Sequence, residues 1–113
     1  MIISFAQTSP AIIDKSKTVT RRFWKDRHVR KFHAGSIHDA WDKSPRTKKG
    51  MKIGRIMIVR DPYKEPLNLM TEEHFQREGG TRFWKDRDEF IQCMGGPEAV
   101  PWVIEFKVIE TLI

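Results

Sequence analysis

One cysteine, one tyrosine and no long apolar run distinguish this sequence of 113 residues. Cys93 has no partner within the chain, so an internal disulfide is excluded and a reducing, cytoplasmic setting is expected. No segment approaches the ~20 apolar residues of a membrane-spanning helix. The opening "MIISFAQTSP" also lacks the basic start and apolar stretch of a secretory signal, and no membrane association is expected. His28, His33, His38 and His74 follow neither H-x-x-x-H nor mixed Cys/His spacing, so no metal site is expected. The hexapeptide "RFWKDR" occurs at Arg22–Arg27 and again at Arg82–Arg87, but its flanks share only a spaced phenylalanine, which excludes a repeat architecture. The length suits a single domain spanning 1–113, with a monomer favoured.

What the chain has in excess is positive charge. The formal net charge is +6, and the surplus is clustered. Arg21 to Lys31 holds six Lys/Arg against Asp26 alone, and Lys43 to Lys52 holds five with no acid. Two such clusters in a small domain form an electrostatic footprint for phosphate-bearing partners, RNA among them. A solvated, solubilising surface is the simpler reading of charge taken alone. Phe23, Trp24 and Phe32 interleave with the first cluster, where rings beside cations can stack bases. Such rings also serve as the core side of an amphipathic segment, and Phe23 is assigned that packing role.

Periodicity alternates between two and three to four residues. "IISFA" reads as a short strand, and Ser9 with Pro10 as a helix start, Ser9 being the cap. "TVTRRF", the stretch near Ser36–Trp41, and "MKIGRIMIVRDPY" read as further strands, with a Pro/Gly-punctuated loop "SPRTKKG" between the last two. In "MTEEHFQREGG", Thr71 caps a helix whose first turn carries Glu72 and Glu73 and whose end is marked by Gly79. Phe83, Phe90, Ile91 and Met94 have helical spacing, which places the second "RFWKDR" at a helix start with a packing role. The first copy is expected at a strand exit. "PWVIEFKVIETLI" alternates as a half-buried strand, with Trp102, Ile104, Phe106 and Val108 inward and Val103, Glu105 and Lys107 outward. The expected class is α+β, a small barrel of about five to six strands with two or three short helices.

Two stretches hold residues able to carry chemistry. Glu78 falls in the last helical turn, where the negative end of the dipole disfavours a carboxylate and favours a proton-transfer role. A surface pairing with Arg77 or His74 is the simpler account. Lys17 lies ahead of a strand that contains Thr20, and a lysine beside a hydroxyl can activate an oxygen nucleophile. Residues three apart on a regular strand face opposite ways, so the two converge only if Lys17 belongs to the preceding turn or a bulge intervenes. Arg22 shares the strand face of Thr20 and is placed to hold a ligand's polar edge or a phosphate.

"KTVTRR", "LNLMTEEHFQREG" and the closing "PWVIEFKVI", in that order, resemble the ASCH domain, whose fold is a PUA-like β-barrel. The resemblance spans nearly the whole chain and is closest to the small bacterial N(4)-acetylcytidine amidohydrolases. It implies that Lys17, Thr20 and Glu78 are catalytic, the threonine hydroxyl attacking the acetyl amide while the lysine and glutamate handle protons. It implies no cofactor, and a modified nucleoside or RNA as partner. Arg21, Arg22, Trp24 and Trp41 are assigned to substrate binding, and Arg46, Lys48 and Lys49 of the basic loop to nucleic-acid contact. The alternatives are an RNA-binding module without amidase activity, which is how many domains of this superfamily are read, and a metal-independent ribonuclease.

Overall fold

The computed structural model describes residues 1–44 and 46–112. Six strands carry the fold: β1 (Ile2–Ser4), β2 (Val19–Arg22), β3 (Ile37–Trp41), β4 (Lys52–Ile58), β5 (Tyr63–Lys64) and β6 (Trp102–Thr111). They form one curled sheet in the order β1-β3-β4-β6-β2, with β5 pairing β6 as well. The α-helices among the described residues are short: α1 (Ser9–Ile13), α2 (Asp26–Val29), α3 (Glu72–Glu78) and α4 (Arg87–Cys93). This is the small α+β barrel-like fold that the pattern of elements predicts, and it matches the PUA-like β-barrel that the family resemblance implies.

β6 organises the sheet because it is long enough to pair twice. Its first residues pair with β2 and β5, and its second half pairs with β4. The curl enters through a register shift between Arg55 and Ile56. Gly54 sits beside that shift, and a Cβ there would lie 2.4 Å from the Glu110 carbonyl oxygen, so the backbones approach more closely than any side chain permits.

Inside the curl, Ile3, Phe5, Ile12, Phe32, Ile53, Ile56, Ile58, Ile104 and Phe106 form the main core. A second cluster of Leu67, Met70, Phe75, Phe90 and Ile91 lies between α3 and α4, with Trp84 and Met94 packed against it. Burial of such side chains stabilises by roughly 1.5–3 kcal/mol each.

Several expectations need correction. Val103 and Glu105 are buried, so the first half of β6 is covered on both faces, and the outward face of Glu105 lies under Tyr63, Arg60 and Arg77. Phe23 is 58% exposed and does not pack. Thr8, not Ser9, precedes the first helical residue of α1, and Pro10 occupies the second position. Pro45, part of the predicted loop punctuation, lies outside the described residues. The first "RFWKDR" does exit a strand, but its last residues also open α2, with Lys25 in the extended capping position. In the second copy Arg82 closes a 3-10 turn (Gly80–Arg82) and only Arg87 is α-helical: Asp86 caps α4 by accepting from the Glu89 backbone N–H at 2.8 Å. The copies differ because strand β6 holds one end of the first, whereas the second follows the glycine pair Gly79–Gly80.

Candidate active site

Lys17 is not on a strand. Lys15 adopts φ +67°, which turns the chain after α1, and the Lys17 backbone N–H then donates to the Ala11 carbonyl at 3.0 Å. Lys17 therefore belongs to the turn, and the alternation of β2 does not constrain its direction. Its side chain runs inward and is 2% exposed. The ammonium donates to the Glu78 carboxylate at 3.0 Å and to the Glu78 backbone carbonyl at 2.6 Å. An ammonium has three donors, so one remains for the cavity.

Glu78 ends α3, where Gly79 stops the helix at φ +133°. It is 2% exposed and takes two cations, Lys17 at 3.0 Å and Arg21 at 2.9 Å. The expected surface partners do not pair with it: Arg77 instead binds Thr18 and Glu105, and His74 faces Arg21 and Arg77. A carboxylate at the unfavourable end of a helix is thus compensated by buried cations.

Thr20 and Arg22 alternate correctly on β2. The Arg22 Nε donates to the Thr20 hydroxyl oxygen at 3.1 Å, and its Nη2 donates to the Ser4 carbonyl at 2.8 Å. The guanidinium also lies over the rings of Phe5 (5.2 Å to centroid) and Trp24 (5.8 Å). Arg22 thereby occupies an acceptor site on the Thr20 oxygen and leaves the hydroxyl proton free to be taken.

Lys17, Thr20, Arg21, Arg22 and Glu78 all line one cavity of about 330 Å³, a size within the range of small-molecule sites. Its apolar wall comes from Phe5, Trp84, Phe90 and Met94, and Gln7 and Thr8 line it from the turn between β1 and α1. Burial pushes the Lys17 ammonium below its ordinary value; the Glu78 carboxylate opposes that shift, while Arg22 and Arg21 add to it. Burial also lowers the Arg22 guanidinium.

Behind the cavity lies a layer of charged groups that sequence reading did not assign. Arg21 reaches Glu65 at 3.3 Å and His74 Nδ1 at 3.1 Å in addition to Glu78. Guanidinium only donates, so Nδ1 of His74 accepts from Arg21, while Nε2 faces the Arg77 guanidinium at 3.4 Å. His74 is held below its ordinary value by burial and by Arg21 and Arg77. Arg77 continues to Glu105 at 3.1 Å, and Tyr63 donates to Glu105 at 2.9 Å. Arg21 is therefore a bridge between Glu78 and this layer as well as a cavity wall.

Other assigned residues lie elsewhere. Trp24 packs on Phe32 at 4.5 Å and His28 at 4.6 Å, outside the cavity wall. Trp41 is half-buried at the end of β3 and is likewise absent from that wall. Arg46, Lys48 and Lys49 are exposed on the turn between β3 and β4. The tryptophan that does line the cavity is Trp84, from the second "RFWKDR". The helical spacing of Phe83, Phe90, Ile91 and Met94 gives this hexapeptide a packing role and does not single out Trp84. Trp84 both lines the cavity and packs, meeting Phe90 edge-on at 4.7 Å.

No family model matches the chain, and no curated protein matches it. Among solved structures, protein EF3133 from Enterococcus faecalis V583, whose family model is DUF984, superposes with a TM-score of 0.61. It is 18% identical, over 90% of this chain and 69% of that one. The likeness is one of fold.

Proposed function

We propose that the protein is an ASCH-type amidohydrolase that removes an acyl group from the exocyclic amine of an acetylcytidine-like nucleoside. The observation that carries this reading is the meeting of Lys17, Thr20 and Glu78, from a turn, a strand and a helix end, in one cavity walled by aromatic side chains. In this reading Lys17 passes a proton to the Glu78 carboxylate and takes the hydroxyl proton of Thr20 as the Thr20 oxygen attacks the acyl carbonyl, so that the ammonium is restored beside the tetrahedral anion. The remaining cationic groups, Arg22 foremost, stabilise the oxyanion. The carbon–nitrogen bond then breaks, Glu78 relays a proton to the departing amine, and water releases the acyl group from Thr20 as a carboxylate. Trp84 and Phe90 supply faces for a pyrimidine ring. No step requires a cofactor.

Hydrolysis of N(4)-acetylcytidine, followed by loss of the acetyl group, tests the reading. Thr20→Ala and Lys17→Ala are each expected to reduce the rate at least a hundredfold, and Thr20→Ser to retain part of it. Full activity in either alanine variant removes the mechanism. The competing reading, an RNA-binding module, is favoured by the exposed cations Arg46, Lys48 and Lys49. It calls for affinity that falls steeply with salt and weakens when those three are neutralised. Cleavage of single-stranded RNA in the presence of a chelator would instead favour a ribonuclease.

A further inference from the structure

Arg22 is a cation of the cavity wall without a counter-charge. Among the described residues it makes no ion pair with an acid, whereas Lys17 has Glu78 and Arg21 has Glu78 and Glu65. Three cations of the wall thus share two carboxylates, and one positive charge is left over. His74, which also faces Arg21, is neutral at pH 7, because burial and the guanidiniums of Arg21 and Arg77 lower its proton affinity. A charge withdrawn from water without a partner is costly, so the wall favours a ligand that brings one negative charge.

The unpaired guanidinium is also held still. Its Nε donates to the Thr20 oxygen, its Nη2 donates to the Ser4 carbonyl, and its carbon lies over the rings of Phe5 and Trp24. Among the described residues Nη1 makes no hydrogen bond, so its two N–H groups remain for a ligand, as does the third hydrogen of the Lys17 ammonium. Donors fixed in advance lose little freedom when an acceptor arrives. The same cavity has an apolar wall from Trp84, Phe90 and Met94. Fixed donors and apolar side chains together suit a small amphiphile, one carboxylate on a short hydrocarbon tail. A dianion exceeds the single surplus charge, and a neutral amide leaves it unmet.

We infer that the cavity is a receptor for one short-chain monocarboxylate, held by Arg22 Nη1 and the Lys17 ammonium, and that the carboxylate formed in the reaction leaves last and inhibits the enzyme. The inhibition rests on the hydrolytic reading; the receptor itself does not. When water cleaves the ester on Thr20, its oxygen bonds to the acyl carbon, the bond from that carbon to the Thr20 oxygen breaks, and Thr20 regains its proton. The acid so formed ionises, its proton passing to solvent, and the carboxylate remains among the cations. The amine has departed before water acts, so the carboxylate dissociates from an otherwise empty site.

The test measures binding of acetate, propionate and butyrate to the wild type by calorimetry and indole fluorescence at constant ionic strength, with acetamide and sulfate as controls. The carboxylates are expected to bind, roughly fourfold more tightly for each methylene fully buried. Acetamide should bind about tenfold more weakly than acetate, and sulfate more weakly than acetate. Arg22→Gln should weaken acetate about tenfold, and Arg22→Lys, which keeps the charge but not the planar fork, by less. Lys107→Gln, exposed on β6, should bind as the wild type does. Thermal unfolding identifies any variant that no longer folds, and the wild-type comparison of acetate with acetamide decides the question if Arg22→Gln fails. Acetamide binding as tightly as acetate, sulfate binding more tightly, or unchanged acetate affinity in folded Arg22→Gln overturns the receptor. In acetylcytidine hydrolysis, acetate should raise KM and leave kcat unchanged. Hydrolysis indifferent to saturating acetate overturns the product role. Acetate binding to a wild type that does not hydrolyse acetylcytidine removes the hydrolytic reading and leaves the receptor standing.

Discussion

Lys17 and Glu78, 61 positions apart in sequence, meet at 3.0 Å with both side chains almost wholly out of solvent. The same ammonium closes the end of α3 by binding the Glu78 carbonyl. The pair is therefore structural as well as chemical.

This predicts an order of stabilities. Lys17→Met leaves Glu78 with Arg21, whereas Glu78→Gln leaves two buried cations with less opposing charge. Breaking a buried pair costs about 3–5 kcal/mol. Lys17→Met is expected near the low end of that range and Glu78→Gln above it, read by denaturant unfolding at neutral pH. Equal losses would show that Arg21 draws its compensation from Glu65 instead.

Tyr63 is the one tyrosine of the chain, so its ionisation can be followed without overlap from another phenol. Burial, together with its hydrogen bond to Glu105 and that carboxylate's charge, pushes the phenol up to about 12. An ultraviolet titration, with circular dichroism verifying the fold at each pH, should place the midpoint there. Glu105→Gln should bring it down toward the ordinary value of 10. A midpoint at 10 in the wild type would contradict the buried contact.

His38 stacks on Phe32 at 4.1 Å and is buried, and burial together with nearby positive charge lowers its value to about 4. As pH falls below 6.5 the unfolded chain takes up a proton that the folded protein refuses until about 4. Stability from this group is therefore complete above 6.5 and declines as pH drops across that window, by at most about 3 kcal/mol. Urea unfolding between pH 7.5 and 4 should show a shallower decline for His38→Gln than for the wild type.

Gly79 combines φ +133° with a neighbour: a Cβ there would lie 2.5 Å from the Phe83 ring. Gly79→Ala is expected to cost about 1–3 kcal/mol through backbone strain. Because Glu78 is the residue before it, the variant should also lose hydrolysis of acetylcytidine if that activity is present. A fully stable Gly79→Ala protein would show that α3 can end another way.

How far local patterns reach is clear from particular elements. Strands β2, β3, β4 and β6 and helix α3 follow from alternation and caps, since these depend on near neighbours. Helix α2 and strand β5 were not legible. Each is shorter than a reliable period: α2 spans four residues and β5 two. Amphipathic spacing does not report which aromatic the sheet will cover, so it places Phe23 in the core although Phe23 is exposed, and it does not single out Trp84, which walls the cavity.

By itself the sequence determined where the chain turns, caps and alternates, and that its charge is strongly positive, because those properties belong to single residues and their immediate neighbours. Only the tertiary structure decided that Glu78 is buried between Lys17 and Arg21, that Glu105 lies under Tyr63, and that Trp102 of β6 pairs with Arg22 of β2. Those outcomes depend on β6 pairing along both edges, a long-range arrangement that no local period encodes.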